Sequence, residues 1–454
     1  MAYLKNILSY LGLKALILKI VTLRIFIPII SKHVKKSLLF ECLDNKHSDS
    51  FGVLVLHSHR WTLDLNVLKR SPKLKLIFLD ATKQQWLNNL IMNSVDDLFK
   101  KDRTLHYQPE ANPKAMKYKN KLNRYLVDFI KYVSEEYDFK CIVTCNFRYL
   151  PDIEWARASK SAGVPFIALH KECLREDSSE QFYIDFYKDR KFKYFGNKLV
   201  VYNEREKKII VESNVCEEEN IIIAGCLRVD EIVKECNYVN NSKKVVCLFS
   251  FRHVVAGVMI KNKTGFGDHE GEGLIEVFAQ THEAIAELAI EYPDIVFIIK
   301  PKWLFIWEEK IREVIRAGVG REIEDIKNLI LTVDIDAQTL IKKSTVVIGL
   351  NSTTLLESRI LKKTTIIPMF AEAGCKYKDK IWFQKYSGSE FIFPTSKEEF
   401  KEQVVLAVQN DNRQPPSHEL IDDYLGFHDG KTLERIVSIL ETEVSMASPE
   451  LVAS

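Results

Sequence analysis

Hydroxyl-bearing residues follow an apolar run late in the chain, in the stretch GLNSTTLLE at 349–357. The residues before it predict a buried strand and those after it predict a helix. A helix N-terminus carries free N–H groups and a partial positive charge, so hydroxyls placed there favour an anion such as phosphate. An ordinary N-cap at Ser352 or Thr353 is the alternative, although three consecutive hydroxyls exceed what a cap needs. The candidate nucleotide ligands here are Asn351, Ser352, Thr353, Thr354 and Glu357.

Two other apolar runs of the second half end in basic residues. DIVFIIKPK at 294–302 ends in Lys300, Pro301 and a second lysine, and Lys300 offers a point charge to a phosphate. KVVCLFSFRH at 244–253 ends in Arg252 and His253. Arg252 can grip a phosphate or carboxylate with two hydrogen bonds, and His253 can act as acid, base or donor. For the two lysines, the alternative is a solvated loop without a ligand. For Arg252 and His253, the alternative is a packed or surface pair.

The first half offers candidates for the acceptor side. Asp230 ends the turn GCLRVD at 225–230, where a carboxylate is either a nucleophile or base or an ordinary helix N-terminal acid. Glu172 closes VPFIALHKE at 164–172, together with a histidine and a lysine, and HSHR at 57–60 is similar. Polar strand-end loops without catalytic function are the alternative for the last two.

Several enzyme classes lack their motifs. The chain has no Gly-rich P-loop and no GxGxxG after a strand, which counts against nucleoside triphosphatases and NAD enzymes. It has no GxSxG elbow, which counts against α/β-hydrolases. His253, Asp268 and His269 lack regular metal-ligand spacing, so we expect neither a metal nor another cofactor.

Short apolar runs alternate with helical patterns from residue 51 onward, which predicts an α/β fold with parallel sheets. An Asn-rich polar stretch at 237–244 predicts a linker, so we expect two Rossmann-like domains facing a cleft. The predicted domains are an N-terminal helical segment (1–50), an acceptor-side domain (51–236), a nucleotide-sugar domain (244–394), and C-terminal helices with a tail (395–454).

Bulk properties agree with an ordinary globular protein. A chain of 454 residues is too long for a single hydrophobic core of ordinary size, so at least two domains are expected. A net charge of +3 is too small to indicate that the protein binds nucleic acid. Nine cysteines, several of them inside apolar runs and none in a CxxC pair, favour a reducing cytoplasm.

The first 40 residues contain no Asp or Glu, and Lys and Arg interrupt their apolar character. No uncharged run is long enough for a spanning helix, and no signal-peptide pattern is present. Two interpretations stay open: a buried N-terminal helix, or a basic segment lying on an anionic membrane face.

The GCLRVD turn, the Lys300-Pro301 strand end and GLNSTTLLE together resemble bacterial GT-B glycosyltransferases of capsule and O-antigen (surface polysaccharide) synthesis, with retaining β-Kdo transferases the most similar. This resemblance implies Asp230 as the catalytic carboxylate and CMP-Kdo as the donor. It implies that Ser352 and Thr353 hold the nucleotide, and that Arg252 and His253 contact the donor. Lys300 stands where those families carry a histidine. The implied acceptor is a lipid-linked glycan at the cytoplasmic membrane face, and no metal is implied.

Three other functions fit the same pattern. A polyol-phosphate transferase would use the same hydroxyl-rich helix start with a CDP-glycerol-like donor. A sugar-nucleotide epimerase would have no need of the basic N-terminal segment. A non-catalytic polysaccharide assembly protein would keep the fold and cleave no donor.

Overall fold

The computed structural model describes residues 40–42, 50–92, 95–235, 244–251, 273–301, 306–410 and 413–447. These residues form two compact α/β units. The N-terminal unit contains the described residues up to Arg175, Glu180–Asp230, and the chain from Asp422 onward. The C-terminal unit contains Glu176–Ser179 and Glu231–Ile421. The predicted linker at 237–244 lies outside the described residues except for its last position.

Twelve strands are present in the described chain. In order they are β1 (Phe40–Cys42), β2 (Phe51–Leu56), β3 (Leu74–Leu79), β4 (Phe139–Thr144), β5 (Phe166–Leu169), β6 (Lys198–Val201), β7 (Ile221–Ile223), β8 (Val245–Phe249), β9 (Val296–Lys300), β10 (Leu329–Leu331), β11 (Val346–Gly349) and β12 (Thr364–Ile366).

Sixteen α-helices accompany them in the same ranges. They are α1 (Thr62–Leu68), α2 (Ala81–Met92), α3 (Asp96–Lys101), α4 (Pro113–Tyr137), α5 (Asp152–Ala162), α6 (Glu180–Asp189), α7 (Glu204–Glu212), α8 (Val229–Glu235), α9 (Ile275–Glu291), α10 (Ile306–Val319), α11 (Ala337–Lys343), α12 (Thr353–Ile360), α13 (Ala371–Gly374), α14 (Lys397–Asn410), α15 (His418–Tyr424) and α16 (Thr432–Ala447). Among the described helices, none has the length and apolar character that crossing a membrane requires.

A seven-stranded sheet lies at the centre of the N-terminal unit, in the order β1-β3-β2-β4-β5-β6-β7. The edge strand β1 runs antiparallel to β3, and the other pairs are parallel. Continuous apolar runs form these strands because helices cover both faces of a parallel sheet. Leu54 and Leu56 pack on one face with Phe129 and Trp155 of α4 and α5. Val53 packs on the opposite face, in a cluster that also includes side chains of α1 and α16.

The C-terminal helix α16 belongs to the N-terminal sheet. Ile436 and Leu440 of α16 are buried in that second cluster, so the chain returns to its first unit after completing the second. The backbone N–H groups of Thr432 and Leu433 donate to the two carboxylate oxygens of Asp230, at 3.1 and 2.8 Å. Asp230 is 1% exposed. It therefore caps the first turn of α16 and complements the positive end of that helix.

The C-terminal unit has a five-stranded sheet in the order β10-β9-β8-β11-β12. Each of these pairs is parallel. In order of appearance within this unit, the strands stand 3-2-1-4-5, which is the Rossmann order 3-2-1-4-5-6 without its sixth strand, and the order reverses beside the first strand. The prediction of two Rossmann-like α/β units is confirmed.

The predicted C-terminal segment, 395–454, is divided between the two units. Helix α14 belongs to the C-terminal unit, whereas α16 belongs to the N-terminal unit. The physical reason is the apolar face of α16, which is buried against the first sheet. Of residues 1–50, predicted as a basic helical segment, 1–39 and 43–49 lie outside the described residues. Residues 40–42 form the strand β1 and not a helix, because their backbone pairs with the edge of β3.

We predict that Asp230→Ala lowers the free energy of unfolding by about 2–3 kcal/mol, because two charge-assisted hydrogen bonds to α16 are lost. Thermal unfolding monitored by circular dichroism measures this change. Asp422→Ala, at an exposed acid of α15, is the matched control and should shift the midpoint little. Equal midpoints for both variants would contradict the capping role.

Candidate functional site

The reversal of strand order in the C-terminal sheet lies between β8 and β11. Ligands of open α/β sheets bind beyond the carboxyl ends of the strands at such a switch point. Phe249 of β8 pairs with Gly349 of β11, so both strands end at the same level. The structure therefore brings the described start of SFRH and the GLNSTTLLE stretch to the two sides of the switch point.

Helix α12 starts at this edge with a run of hydroxyls. Ser352 is its N-cap, and its Oγ accepts the backbone N–H of Thr354 at 3.3 Å. The hydroxyls of Ser352 and Thr354 lie 2.7 Å apart. Ser352, Thr353 and Thr354 are half-buried, and the first turn contains no acidic residue. The predicted strand, hydroxyl-rich turn and helix start are present, and their binding of a phosphate stays a prediction.

Asn351 supports a neighbouring loop. Its backbone is left-handed, with φ 46°. Its side-chain amide donates to the carbonyl of Lys380 and accepts the backbone N–H of Trp382, both at 2.9 Å. Both ends of the amide are therefore used to hold the 380–382 loop beside the turn. Direct contact of Asn351 with a nucleotide stays a prediction.

The other helix start beside the switch point is already occupied by a carboxylate of the protein. Glu372 accepts the backbone N–H groups of Glu276 and Val277, at 2.8 and 2.9 Å, at the first turn of α9. A carboxylate there satisfies unpaired amides and the positive end of the helix dipole. Of the two helix starts flanking the switch point, α12 is therefore the one whose first turn carries hydroxyls and no acid.

A buried serine–histidine pair supports the end of β8. Ser250 Oγ lies 2.9 Å from Nε2 of His282, and the other ring nitrogen lies 2.6 Å from the Phe278 carbonyl. A carbonyl only accepts, so the proton is on Nδ1 and the hydroxyl of Ser250 donates to Nε2. His282 is fully buried on α9. Sequence reasoning missed this pair because its partners are 32 residues apart and no local pattern joins them.

Lys300 lies at the same edge but turns away from the switch point. Its Nζ donates to the carbonyl of Val333, beyond β10, at 3.0 Å. Burial lowers the pKa of Lys300 below its ordinary value. Pro301 is buried at the strand end, and Glu357 is buried inside α12. The ammonium group of Lys300 has further donors besides the one to Val333, and its contact with a phosphate stays a prediction.

The predicted ligands Arg252 and His253 lie outside the described residues, as do Asp268 and His269. In the part of the chain that the structure describes, no group of three or more His, Cys, Asp or Glu residues is arranged to hold a metal ion.

His170, the first residue after β5, belongs to a buried cluster of charged side chains. His170 is fully buried, with Nε2 3.3 Å from a Glu206 oxygen, and Arg175 Nε lies 3.2 Å from the other oxygen. Burial lowers the pKa of His170 to about 4. Burial alone would raise the pKa of Glu206, but Arg175 and His170 outweigh it and the pKa lies below its ordinary value. His170 is therefore a neutral member of a structural ion-pair cluster.

Glu172 forms a separate ion pair with Arg148, and its side chain is 41% exposed. Lys171 donates to the carbonyl of Arg60. His170, Lys171 and Glu172 therefore do not form one constellation. The acid or base role of Glu172 stays a prediction, as does the catalytic role of Asp230, whose two oxygens cap α16.

No protein-family model matches the chain, and no curated protein matches its sequence. Solved structures of low sequence identity do match. UDP-GlcNAc 2-epimerase from Neisseria meningitidis, bound to UDP-GlcNAc, is 12% identical over 87% of this chain and 100% of that chain, with a TM-score of 0.45. UDP-GlcNAc 2-epimerase from Methanocaldococcus jannaschii is 14% identical over 87% and 99%, with a TM-score of 0.49. The wall teichoic acid polymerase TagF is 14% identical over 71% and 77%, with a TM-score of 0.40.

We predict that the protein loses stability as the pH falls from 6.5 to about 4, in part because of His170. Its pKa is lower when folded, so the unfolded chain binds the proton first, and stability present above pH 6.5 is lost on acidification. The contribution is on the order of 3 kcal/mol. Urea unfolding at several pH values should show a shallower pH dependence for His170→Gln than for the wild type.

Tyr187→Phe is the matched control for this experiment. The Tyr187 hydroxyl lies 3.3 Å from the same Glu206 oxygen, and burial raises its pKa further above the range tested. The control should lose stability equally at every pH. A pH dependence in His170→Gln as steep as in the wild type would show that His170 does not titrate as stated.

Proposed function

We propose that the chain is a glycosyltransferase that binds a nucleotide-activated sugar through its phosphate at the start of α12. One observation carries this proposal: at the switch point the start of α12 offers three half-buried hydroxyl residues and no acid, while Glu372 occupies the start of α9. Backbone N–H groups and the helix dipole at such a site favour an anionic ligand.

The assignment of a sugar donor depends on the resemblance of GCLRVD, Lys300-Pro301 and GLNSTTLLE to capsule and O-antigen glycosyltransferases. CMP-Kdo is the donor that this resemblance implies. Lys300 stands where those families carry a histidine. Binding measurements with different nucleotides therefore determine which base the protein recognises. We further propose a glycan acceptor on the N-terminal unit. Its attachment to a lipid, and contact of residues 1–40 with the cytoplasmic membrane face, are parts of the same proposal.

Ser352→Ala should weaken nucleotide binding by about 10- to 100-fold, because a hydrogen bond to a charged phosphate contributes about 1.5–3 kcal/mol. Isothermal titration calorimetry with CMP, UDP, GDP and CDP measures the affinity. Ser396→Ala is the matched control, since the Ser396 hydroxyl accepts the backbone N–H of Glu399 at the start of α14 in the same unit. Both variants lose an N-cap worth about 1 kcal/mol.

Only Ser352→Ala should lose affinity for the nucleotide. The same dissociation constant for Ser352→Ala and Ser396→Ala would place the phosphate elsewhere. A wild-type protein that binds none of the four nucleotides would overturn the enzyme proposal in favour of an assembly protein.

The reaction is tested with CMP-Kdo, UDP-N-acetylglucosamine and CDP-glycerol. Release of free nucleotide from a sugar donor supports glycosyl transfer. Turnover of CDP-glycerol alone would instead support polyol-phosphate transfer. Conversion of the sugar without release of nucleotide would identify an epimerase.

A further inference from the structure

A cavity of about 260 Å³ opens between four helices of the N-terminal unit. Side chains of α2, α3, α4 and α5 line it, together with the turn that follows α3. Its volume is close to the lower bound of about 300 Å³ for small-molecule sites. Its lining residues all belong to one unit, so the cavity is separate from the start of α12, which belongs to the other.

A buried ion pair forms part of the wall of this cavity. Lys119 Nζ donates to Oε1 of Glu154 at 2.9 Å, and the two side chains are 3% and 4% exposed. The Phe99 ring centroid lies 5.3 Å from the same Nζ. An ammonium group has three donors, so after Glu154 and the Phe99 ring at least one N–H has no acceptor among the described residues. An acceptor atom of a ligand in the cavity would satisfy this buried donor.

His106 brings a second unpaired polar atom to the cavity lining. Its Nδ1 is buried and has no hydrogen-bond partner in the part of the chain that the structure describes. Burial and the charges of Lys119 and Arg103 lower the pKa of His106 to about 3, so the ring is neutral at neutral pH. A neutral ring has one donor and one acceptor nitrogen. A hydroxyl group pairs with Nδ1 in either tautomer, whereas a carboxylate pairs with it only when Nδ1 carries the proton.

The charges of the lining favour a ligand with one negative charge. The lining contains three cations and two carboxylates. Lys100 pairs with Asp96 at 2.6 Å, and Lys119 pairs with Glu154. The guanidinium of Arg103, which is exposed, is the remaining charge of the lining. A carboxylate on the ligand would balance it.

The amide side chains of α2 favour hydroxyl groups on the same ligand. The Gln85 amide donates to Oδ1 of Asn89 at 2.7 Å. The Gln85 carbonyl oxygen and the Asn89 NH₂ group then have no partner among the described residues. Both side chains line the cavity. An acceptor beside a donor matches a hydroxyl group, which both donates and accepts.

We propose that this cavity is a binding site for a sugar acid, a ring that carries several hydroxyl groups and one carboxylate. The carboxylate accepts the unpaired N–H of Lys119 and faces the charge of Arg103. One hydroxyl pairs with Nδ1 of His106, and others reach the amides of α2. Buried polar groups are nearly always paired, so the two unpaired buried groups in one small cavity are the observation that carries the proposal. It does not depend on the proposed transfer reaction.

Saturation-transfer difference NMR of the full chain tests the proposal with two matched pairs of sugars. D-Glucuronate and D-galacturonate carry the carboxylate, and D-glucose and D-galactose lack it. The wild type should bind at least one of the acids more tightly than its neutral counterpart. Trigalacturonate distinguishes the two sources of such a group: tighter binding than galacturonate indicates a residue of a glycan chain, and weaker binding indicates a free sugar acid.

Two variants locate the bound sugar. His106→Phe keeps an aromatic ring beside Phe99 and removes Nδ1, so the affinity for the sugar acid should fall about tenfold because a ligand hydroxyl loses its partner. Arg103→Ala should weaken binding of the acid by about 2- to 5-fold and leave the neutral sugars unaffected, because an exposed charge contributes little. Arg124→Ala, at an exposed arginine of α4 outside the cavity, is the matched control and should bind as the wild type does.

Three results would overturn the inference. The wild type binds neither sugar acid, it binds acids and neutral sugars equally, or His106→Phe and Arg103→Ala both keep the wild-type affinity. Circular dichroism confirms that each variant is folded. None of these results bears on the nucleotide site, because the start of α12 belongs to the other unit and its affinity is measured separately.

Discussion

The candidate chemistry depends on one constraint, the reversal of strand order beside the first strand of a parallel sheet. Loops that leave two neighbouring strands in opposite directions open a crevice at the carboxyl edge. In the C-terminal unit this edge carries the start of α12, and in the N-terminal unit it carries His57. The two switch points thereby place a hydroxyl-rich helix start on one unit and a buried histidine on the other.

Helix starts that need an anion obtain it from different sources in this protein. Glu372 supplies a carboxylate to the start of α9. Asp230 supplies one to the start of α16, although the two lie 202 residues apart in the sequence. Asp152 carries its own carboxylate at the start of α5, where His57, Gln84 and Thr144 approach it. The first turn of α12 carries hydroxyls and no acidic residue. This difference is the basis on which we propose the start of α12, rather than those of α9, α16 and α5, for an external phosphate.

The parallel strands and the two α/β units followed from local sequence, whereas the antiparallel edge strand β1 did not. Uninterrupted apolar runs ending in polar residues located β2 and β11, because a parallel sheet is buried on both faces and ends at a loop. Contacts between distant residues were not predictable. The Asp230 cap joins residues 202 apart, and the His57–Asp152 pair joins residues 95 apart. Lys300 was correctly placed at the edge, but the direction of its side chain depends on Val333, which no local pattern indicates.

We propose that a nucleotide phosphate binds at the start of α12. A crystal structure of the protein with the tightest-binding of CMP, UDP, GDP and CDP tests it most directly. Phosphate oxygens should lie within about 3 Å of Ser352 Oγ and of the backbone nitrogens of Thr353 and Thr354. A phosphate bound elsewhere, with the first turn of α12 lacking any contact to the nucleotide, would contradict the account.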